Sequence, residues 1–184
     1  MLEASAMATQ TRENAIADVM EQFPYGLYII GSRSPAGEPN GMMADWVMQV
    51  SFDPRLVAVA FERDAHTLEN IRADKVFTVN VLSQDPESMH LASGFAQPYY
   101  GRKVKGRAGT ALAEVHHKLD GIDFTPAASG CPVLGLAMAW LDCEAGVFVE
   151  TGDHVLVVGR VVDGGMRREG DVLTSTYTGW MYSG

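Results

Sequence analysis

Apolar positions in this chain fall into three kinds of pattern, and each predicts a different element. In residues 11–22, Ile16, Val19 and Met20, followed by Phe23, recur three and four positions apart. That spacing predicts an amphipathic helix, with Thr9 or Thr11 as its cap and Pro24 as its stop. Residues 25–32 (YGLYIIGS) are aromatic and β-branched and predict a strand. The runs 56–61 (LVAVAF) and 76–82 (VFTVNVL) are almost wholly apolar, as in strands covered on both faces, and Asn80 is the one polar intrusion. Short helices are predicted over 67–72 and 85–93, the second capped by Ser83 or Asp85. Residues 136–150 read as a long strand bent at Ala145-Gly146. A turn at Gly152-Asp153 returns the chain as 155–162 in a hairpin, and 173–177 predicts a last strand. Residues 94–109, with Pro98, Gly101, Gly106 and Gly109, read as a loop, and 111–124 fit helix or strand equally.

Between the first strand and the first apolar run lies GEPNGMMADWVMQVSFD, residues 37–53. It starts as a turn, where Pro35, Gly37, Pro39, Asn40 and Gly41 crowd together. It continues as small and apolar residues carrying one acid, Asp45, and one large aromatic, Trp46. It ends at Ser51 and Phe52 before Asp53-Pro54, and reads as an irregular strand. Many strands, short helices and glycines at bends predict a small antiparallel barrel. No repeat or linker divides the chain, so the expected organisation is one domain over 11–184 behind a disordered extension of residues 1–10.

Composition narrows the function classes. A chain of 184 residues, 47% hydrophobic and 20% charged, supports one ordinary globular core. A formal net charge of −9 argues against bulk nucleic-acid binding, which needs a basic face. No apolar run approaches the ~20 residues of a membrane span, and the start lacks the basic and apolar blocks of a secretory signal. Cys131 and Cys143 form no CxxC pair and read as reduced thiols in a cytoplasmic protein.

The search for catalytic constellations excludes more than it finds. His66, His90, His116, His117 and His154 fall in no metal-ligand array, so no protein-bound metal is expected. There is no GxSxG elbow, and the only GxG-like pattern, in 101–109, does not join a strand to a helix as a dinucleotide fingerprint must. Three local features remain. Small residues from Asn40 to Trp46 admit a ligand close to backbone N–H donors, or else form a bulged strand with a packed Trp. His66-Thr67 before a short helix suits a phosphate, or else Thr67 is a plain N-cap. Gly152-Asp153-His154 places a histidine at a hairpin, near an anionic cofactor or simply at the surface. The basic cluster Arg102, Lys103, Lys105 and Arg107 is a phosphate site or a solvated face.

In order, PYGLYIIGS, NGMMADWVMQVSFDPRLVAVAF, HTLENIRADKVFTVNVLS, GCPVLGLAMAWLDCE and GDHVLVVGRVV resemble the flavin reductase-like family of FMN-binding split barrels. The tail TGWMYSG resembles the ending of members that pass electrons to rubredoxin or close flavodiiron proteins. The resemblance implies a mainly β, six-stranded antiparallel Greek-key split barrel with a few short peripheral helices, working as a homodimer with FMN (FAD possible) near the subunit interface. It implies that Asn40, Met43, Ala44, Asp45 and Trp46 line the isoalloxazine, with Ser51 beside it. His66 and Thr67 would help hold the phosphate, and His154 would be the catalytic residue near the flavin and the nicotinamide approach. The implied activity is NAD(P)H-dependent flavin reduction, with NADH or NADPH as donor. Free flavin, a monooxygenase, rubredoxin or ferric complexes would be acceptors. The alternative is an FMN-binding electron-transfer partner or sensor without NAD(P)H turnover.

Two departures matter. Many members have Thr where this chain has Met43, and Ser or Asn where it has Asp45. An ionised carboxylate beside the flavin would disfavour its anionic reduced form. Lys105-Gly106-Arg107 stands where many members carry Asp-Lys-Phe, which alters the expected contacts to the nicotinamide nucleotide.

Overall fold

The computed structural model describes residues 12–96 and 117–180. The first nine of them, 12–20, form helix α1. Then come β1 (Tyr28–Arg33), β2 (Pro39–Ala44), β3 (Val47–Phe52), β4 (Arg55–Glu62), α2 (His66–Asp74), β5 (Val76–Val81) and α3 (Pro86–Phe95). The remainder holds β6 (Phe124–Pro126), β7 (Pro132–Leu134), β8 (Ala139–Thr151), β9 (His154–Met166) and α4 (Ser175–Thr178). Seven strands form one antiparallel sheet in the order β2-β1-β5-β8-β9-β4-β3, and β6 and β7 make a separate ribbon.

The sheet curls because one core is shared by strands far apart in that order. Ala44 on the edge strand β2 packs in the same apolar cluster as Val57 and Val59 on β4, with Ile30, Phe61, Leu68, Phe77, Val155 and Val157. The opposite face of β1 supplies Ile29 to a second cluster with Leu27, Leu82, Leu91, Phe95, Leu134 and Leu173. Adjacent residues of a strand point to opposite faces, so covering both faces explains why the central strands read as unbroken apolar runs. Asn80 on β5 is fully buried, and its polarity is answered on every side. Its amide donates to the Ile29 carbonyl at 3.1 Å and the Pro132 carbonyl at 3.2 Å, and its oxygen accepts the Leu134 N–H at 2.8 Å.

The bend expected at Ala145-Gly146 is present, as register shifts at Asp142/Cys143 and Ala145/Val147 between β8 and β9. The Asp85 side chain caps α3 through the Ser88 N–H at 2.7 Å. Both cysteines are free and buried. Burial, with a contribution from the Asp142 charge, pushes Cys131 up to about 11 and Cys143 up to about 12, so both thiols are poor nucleophiles at neutral pH.

Two expectations need correction. The sheet has seven strands rather than six, because residues 37–53 break at Asp45-Trp46 into β2 and β3, which occupy the two opposite edges. Residues 173–177 form no full strand. Isolated bridges, Gly26 to Thr174 and Ser83 to Val172, and backbone bonds of Leu173 to Leu27 and Leu82 hold the tail, and the Thr174 side chain then caps α4 by accepting the Tyr177 N–H. Within the ambiguous 111–124 region, residues 118–121 are turn and Phe124 opens β6. The extension 1–10, the Thr9 or Thr11 cap, the basic cluster of residues 102–107 and the chain's last four residues lie outside the described residues.

Candidate functional site

The break between β2 and β3 is the foundation of the site. The Asp45 carbonyl accepts the Val47 N–H at 2.9 Å, a tight local turn, and the Trp46 carbonyl accepts the Ala60 N–H at 3.0 Å, which anchors the turn to β4. The Trp46 ring is thereby set beside His154, with ring centroids 4.7 Å apart, and near Tyr25 at 6.4 Å. Asp45 is half-buried. Burial raises its carboxyl above the usual range, against the opposing pull of its own and the Trp46 N–H groups and of the His154 charge.

The β8–β9 hairpin supplies the other wall. Gly152 turns it with φ of 57°, in the left-handed region that glycine adopts freely. His154 pairs with Glu62 of β4 in register, and the Asp153 carbonyl accepts the Arg63 N–H at 3.1 Å. His154 is therefore buried, at 7% exposure, rather than a surface histidine. Its Nδ1 lies 2.7 Å from Asp153 Oδ1. The hydrogen bond from His154 and its charge hold the exposed Asp153 carboxyl below the usual range. Trp46, Glu62, Arg63, Asp64, Gly152, Asp153 and His154 line an open cleft of about 660 Å³, a size that takes a ring system and part of a nucleotide.

Helix α2 starts beside the same loop. Its N-cap is Ala65, which has no side chain to satisfy the first N–H groups. The expectation that Thr67 is a plain N-cap therefore fails. Thr67 sits inside the first turn, buried at 2%, and its hydroxyl accepts a hydrogen bond from the Asn40 amide at 3.0 Å. One turn on, the buried Asn70 amide donates to the Ser32 hydroxyl at 3.3 Å. The helix start is thus fixed against β1 and β2 by buried polar pairs, and no side chain caps it. The His66 ring stands 3.2 Å from Glu69 on the same turn.

Other expected site residues lie in different surroundings. Ala44 is buried in the first core, and Met43 packs on the second. Ser51 is half-buried on β3 at a register shift against β4. Among the described residues no group of three or more His, Cys, Asp and Glu could hold a metal, and no helix is long and apolar enough to cross a membrane. The sequence pattern did not mark Tyr25, Glu62, Arg63 or Asp64 as site residues, and it offered Asp153 as part of the turn before His154. Glu62 to Asp64 and Asp153 fall in polar stretches that look solvated in one dimension, and the pairing of β4 with β9 brings the two turns together.

The residues present fit a flavin nucleotide. An aromatic wall suits a flat ring, and an uncapped helix start, seated on Asn40 and Thr67, suits a phosphate. A curled antiparallel sheet with such a cleft defines a small β-barrel domain with a nucleotide-sized site. Residues 20–181 match the family model described as the flavin reductase like domain, and the chain belongs to that family. It is 29% identical over 147 residues to the stachydrine N-demethylase reductase subunit of Rhizobium meliloti strain 1021, spanning 80% of this chain and 56% of that relative. It is 30% identical over 154 residues to a flavin reductase (NADH) of Kitasatospora aureofaciens, spanning 82% of this chain and 71% of the relative. The fold matches nitrilotriacetate monooxygenase component B from Mycobacterium thermoresistibile with a TM-score of 0.74 at 24% identity, over 95% of this chain and 88% of that one.

The half-buried carboxyl of Asp45 gives a signed prediction. A carboxyl whose folded-state pKa is raised stabilises the fold only while protonated, and that contribution is lost as pH rises through the folded pKa. Asp45→Asn should therefore raise Tm at pH 7 and leave it unchanged at pH 3, where both forms are neutral. Thermal melts of the two proteins at both pH values would measure this, and a stabilisation of equal size at pH 3 would reject it.

Proposed function

We propose that this chain is an NAD(P)H-dependent flavin reductase that binds FMN, with FAD also accommodated, and passes electrons from NADH or NADPH to an acceptor. The observation that carries the reading is the Trp46–His154 wall of a nucleotide-sized cleft on a family barrel. Bound flavin supplies the hydride and electron chemistry. The chain's task is to position and shield. The first N–H groups of α2, with Thr67 oriented by Asn40, hold the phosphate. Backbone from Asn40 to Trp46 faces the ring, with Ser51 beside it, and the side chain of Asp45 adds negative charge there. Asp153 fixes the His154 tautomer, because a proton on Nδ1 directed at a carboxylate leaves Nε2 as the acceptor in the neutral ring. No general acid–base pair is required for hydride transfer, which agrees with the lack of a triad.

The working form is a homodimer. Ile16, Val19, Met20 and Phe23 on and just beyond α1, and Met48, Val50 and Phe52 on the edge strand β3, are all exposed, with Phe52 at 85%. An apolar row of that kind on an open strand edge needs cover. Sedimentation velocity at micromolar concentration should give twice the chain mass, and a monomer would reject this. The acceptor is free flavin, a monooxygenase, rubredoxin or a ferric complex in the cytoplasm.

The test of activity is a fluorescence titration with FMN and FAD, followed by anaerobic consumption of NADH and NADPH. Saturable quenching and turnover are expected. A colourless protein that binds no added flavin would reject the reading. Binding without turnover by either nucleotide would instead support the electron-transfer partner or sensor.

A further inference from the structure

Beside the cleft, one carboxylate holds two guanidinium groups. Glu150, near the end of β8, places Oε1 2.7 Å from Arg72 Nη2 and Oε2 3.3 Å from Arg63 Nε. Arg72 lies in the last turn of α2, and Arg63 in the turn that lines the cleft with Trp46 and His154. All three side chains are about half exposed. The backbone of Arg63 is pinned to the Asp153 carbonyl, so its position at the cleft is fixed while its guanidinium can swing. The other charged groups of the cleft, Glu62, Asp64 and Asp153, are acids, and Arg63 is the cation among the lining residues.

We propose that Arg63 is an exchangeable phosphate ligand, parked on Glu150 in the free protein and transferred to a phosphate ester of the nucleotide that enters the cleft. This rests on the flavin-reductase reading of the same cleft. The geometry makes the exchange inexpensive. Arg63 leaves the longer of the two contacts, an exposed pair of the kind that contributes little. Glu150 keeps Arg72 at 2.7 Å, so no carboxylate is left without a cation. The guanidinium gains a bidentate acceptor of higher charge. The three acids give the exchange its selectivity. Without Arg63, the charged side chains lining the cleft among the described residues are three acids beside His154, so release of Arg63 favours occupancy by a phosphorylated ligand. Glu150 is then an internal competitor that sets affinity for the phosphate without touching the ligand.

The chemistry recognised is a phosphate ester, which the flavin nucleotide and the 2′-phosphate of NADPH both carry. The experiment separates them by measuring dissociation constants at low salt for FMN against riboflavin, and for NADPH against NADH, in wild type, Arg63→Ala, Glu150→Gln and Arg72→Ala. For the phosphorylated member of one pair, Arg63→Ala should weaken binding about tenfold and Glu150→Gln should tighten it about threefold. Arg72→Ala should weaken it about twofold, because Glu150 then holds Arg63 alone. Riboflavin and NADH, which lack the phosphate monoester of their partners, should change less than about twofold throughout. The pair that responds identifies the phosphate. Opposite signs for Glu150→Gln and Arg63→Ala cannot come from partial unfolding, which weakens binding in both. If wild type binds these ligands and Glu150→Gln leaves both ratios unchanged or lowers affinity, the exchange is rejected and the flavin-reductase reading stands. If wild type binds none of the four ligands, that reading falls and the exchange falls with it.

Discussion

His154→Ala is expected to lower kcat/KM for nicotinamide-driven flavin reduction by on the order of 10- to 100-fold, with flavin affinity changed far less. The imidazole is 7% exposed, tilted against the Trp46 ring at a centroid distance of 4.7 Å and held by Asp153 at 2.7 Å. A histidine fixed on both sides presents one edge to the cleft in a defined tautomer, and that edge is what alanine removes. Asp153→Asn should give a smaller loss, because the amide oxygen can still accept from Nδ1 but makes a weaker, neutral hydrogen bond. Steady-state kinetics with NADH and NADPH, beside an FMN titration of each variant, would measure both. A kcat/KM within a factor of about two of wild type for His154→Ala would remove His154 from the reaction.

The largest stability effect is expected at Asn80. Alanine there leaves the Leu134 N–H without its 2.8 Å acceptor and removes a donor from the Ile29 and Pro132 carbonyls, in a fully buried position. One stranded donor and two lost bonds sum to roughly 3 kcal/mol. For a chain of this length that lowers Tm by about 6–12 °C. Asn80→Asp keeps the acceptor for Leu134 but turns a carboxylate toward two carbonyl oxygens, so it should be worse at pH 7 and partly recover as the group protonates in acid. Urea unfolding curves would test both variants. A loss under about 1 kcal/mol for Asn80→Ala would mean that solvent or neighbouring groups replace the missing partners.

These two residues also show how far a linear reading reaches. Asn80 stood out as a polar intrusion in an apolar strand, and its intrusion marks the place where the β6–β7 ribbon is hydrogen-bonded to the sheet. No periodicity announces β6 or β7, because three-residue strands are too short to establish one. His154 was flagged by its place at a hairpin, with burial and exposure both open. Its burial follows from pairing with β4, a strand roughly a hundred positions earlier. Thr67 was flagged at a helix start, and the helix is there. Yet Thr67 turns inward to Asn40 instead of capping, and the N-cap position falls to Ala65.

By itself the sequence determined the local elements whose causes are local. These are the two-sided burial of β4 and β5, a side-chain cap for α3 at Ser83 or Asp85, the bend in β8, and the turn chemistry ahead of β2. Each follows from side-chain pattern or backbone chemistry within a few residues. Tertiary structure alone decided that the two halves of residues 37–53 form opposite edges of one sheet. It also decided that two polar turns close a cleft around Trp46 and His154, and that Glu150 sits between Arg63 and Arg72. Those relations join residues tens of positions apart, and strand order and register set them. A one-dimensional pattern carries the period of each strand but not the identity of its neighbour.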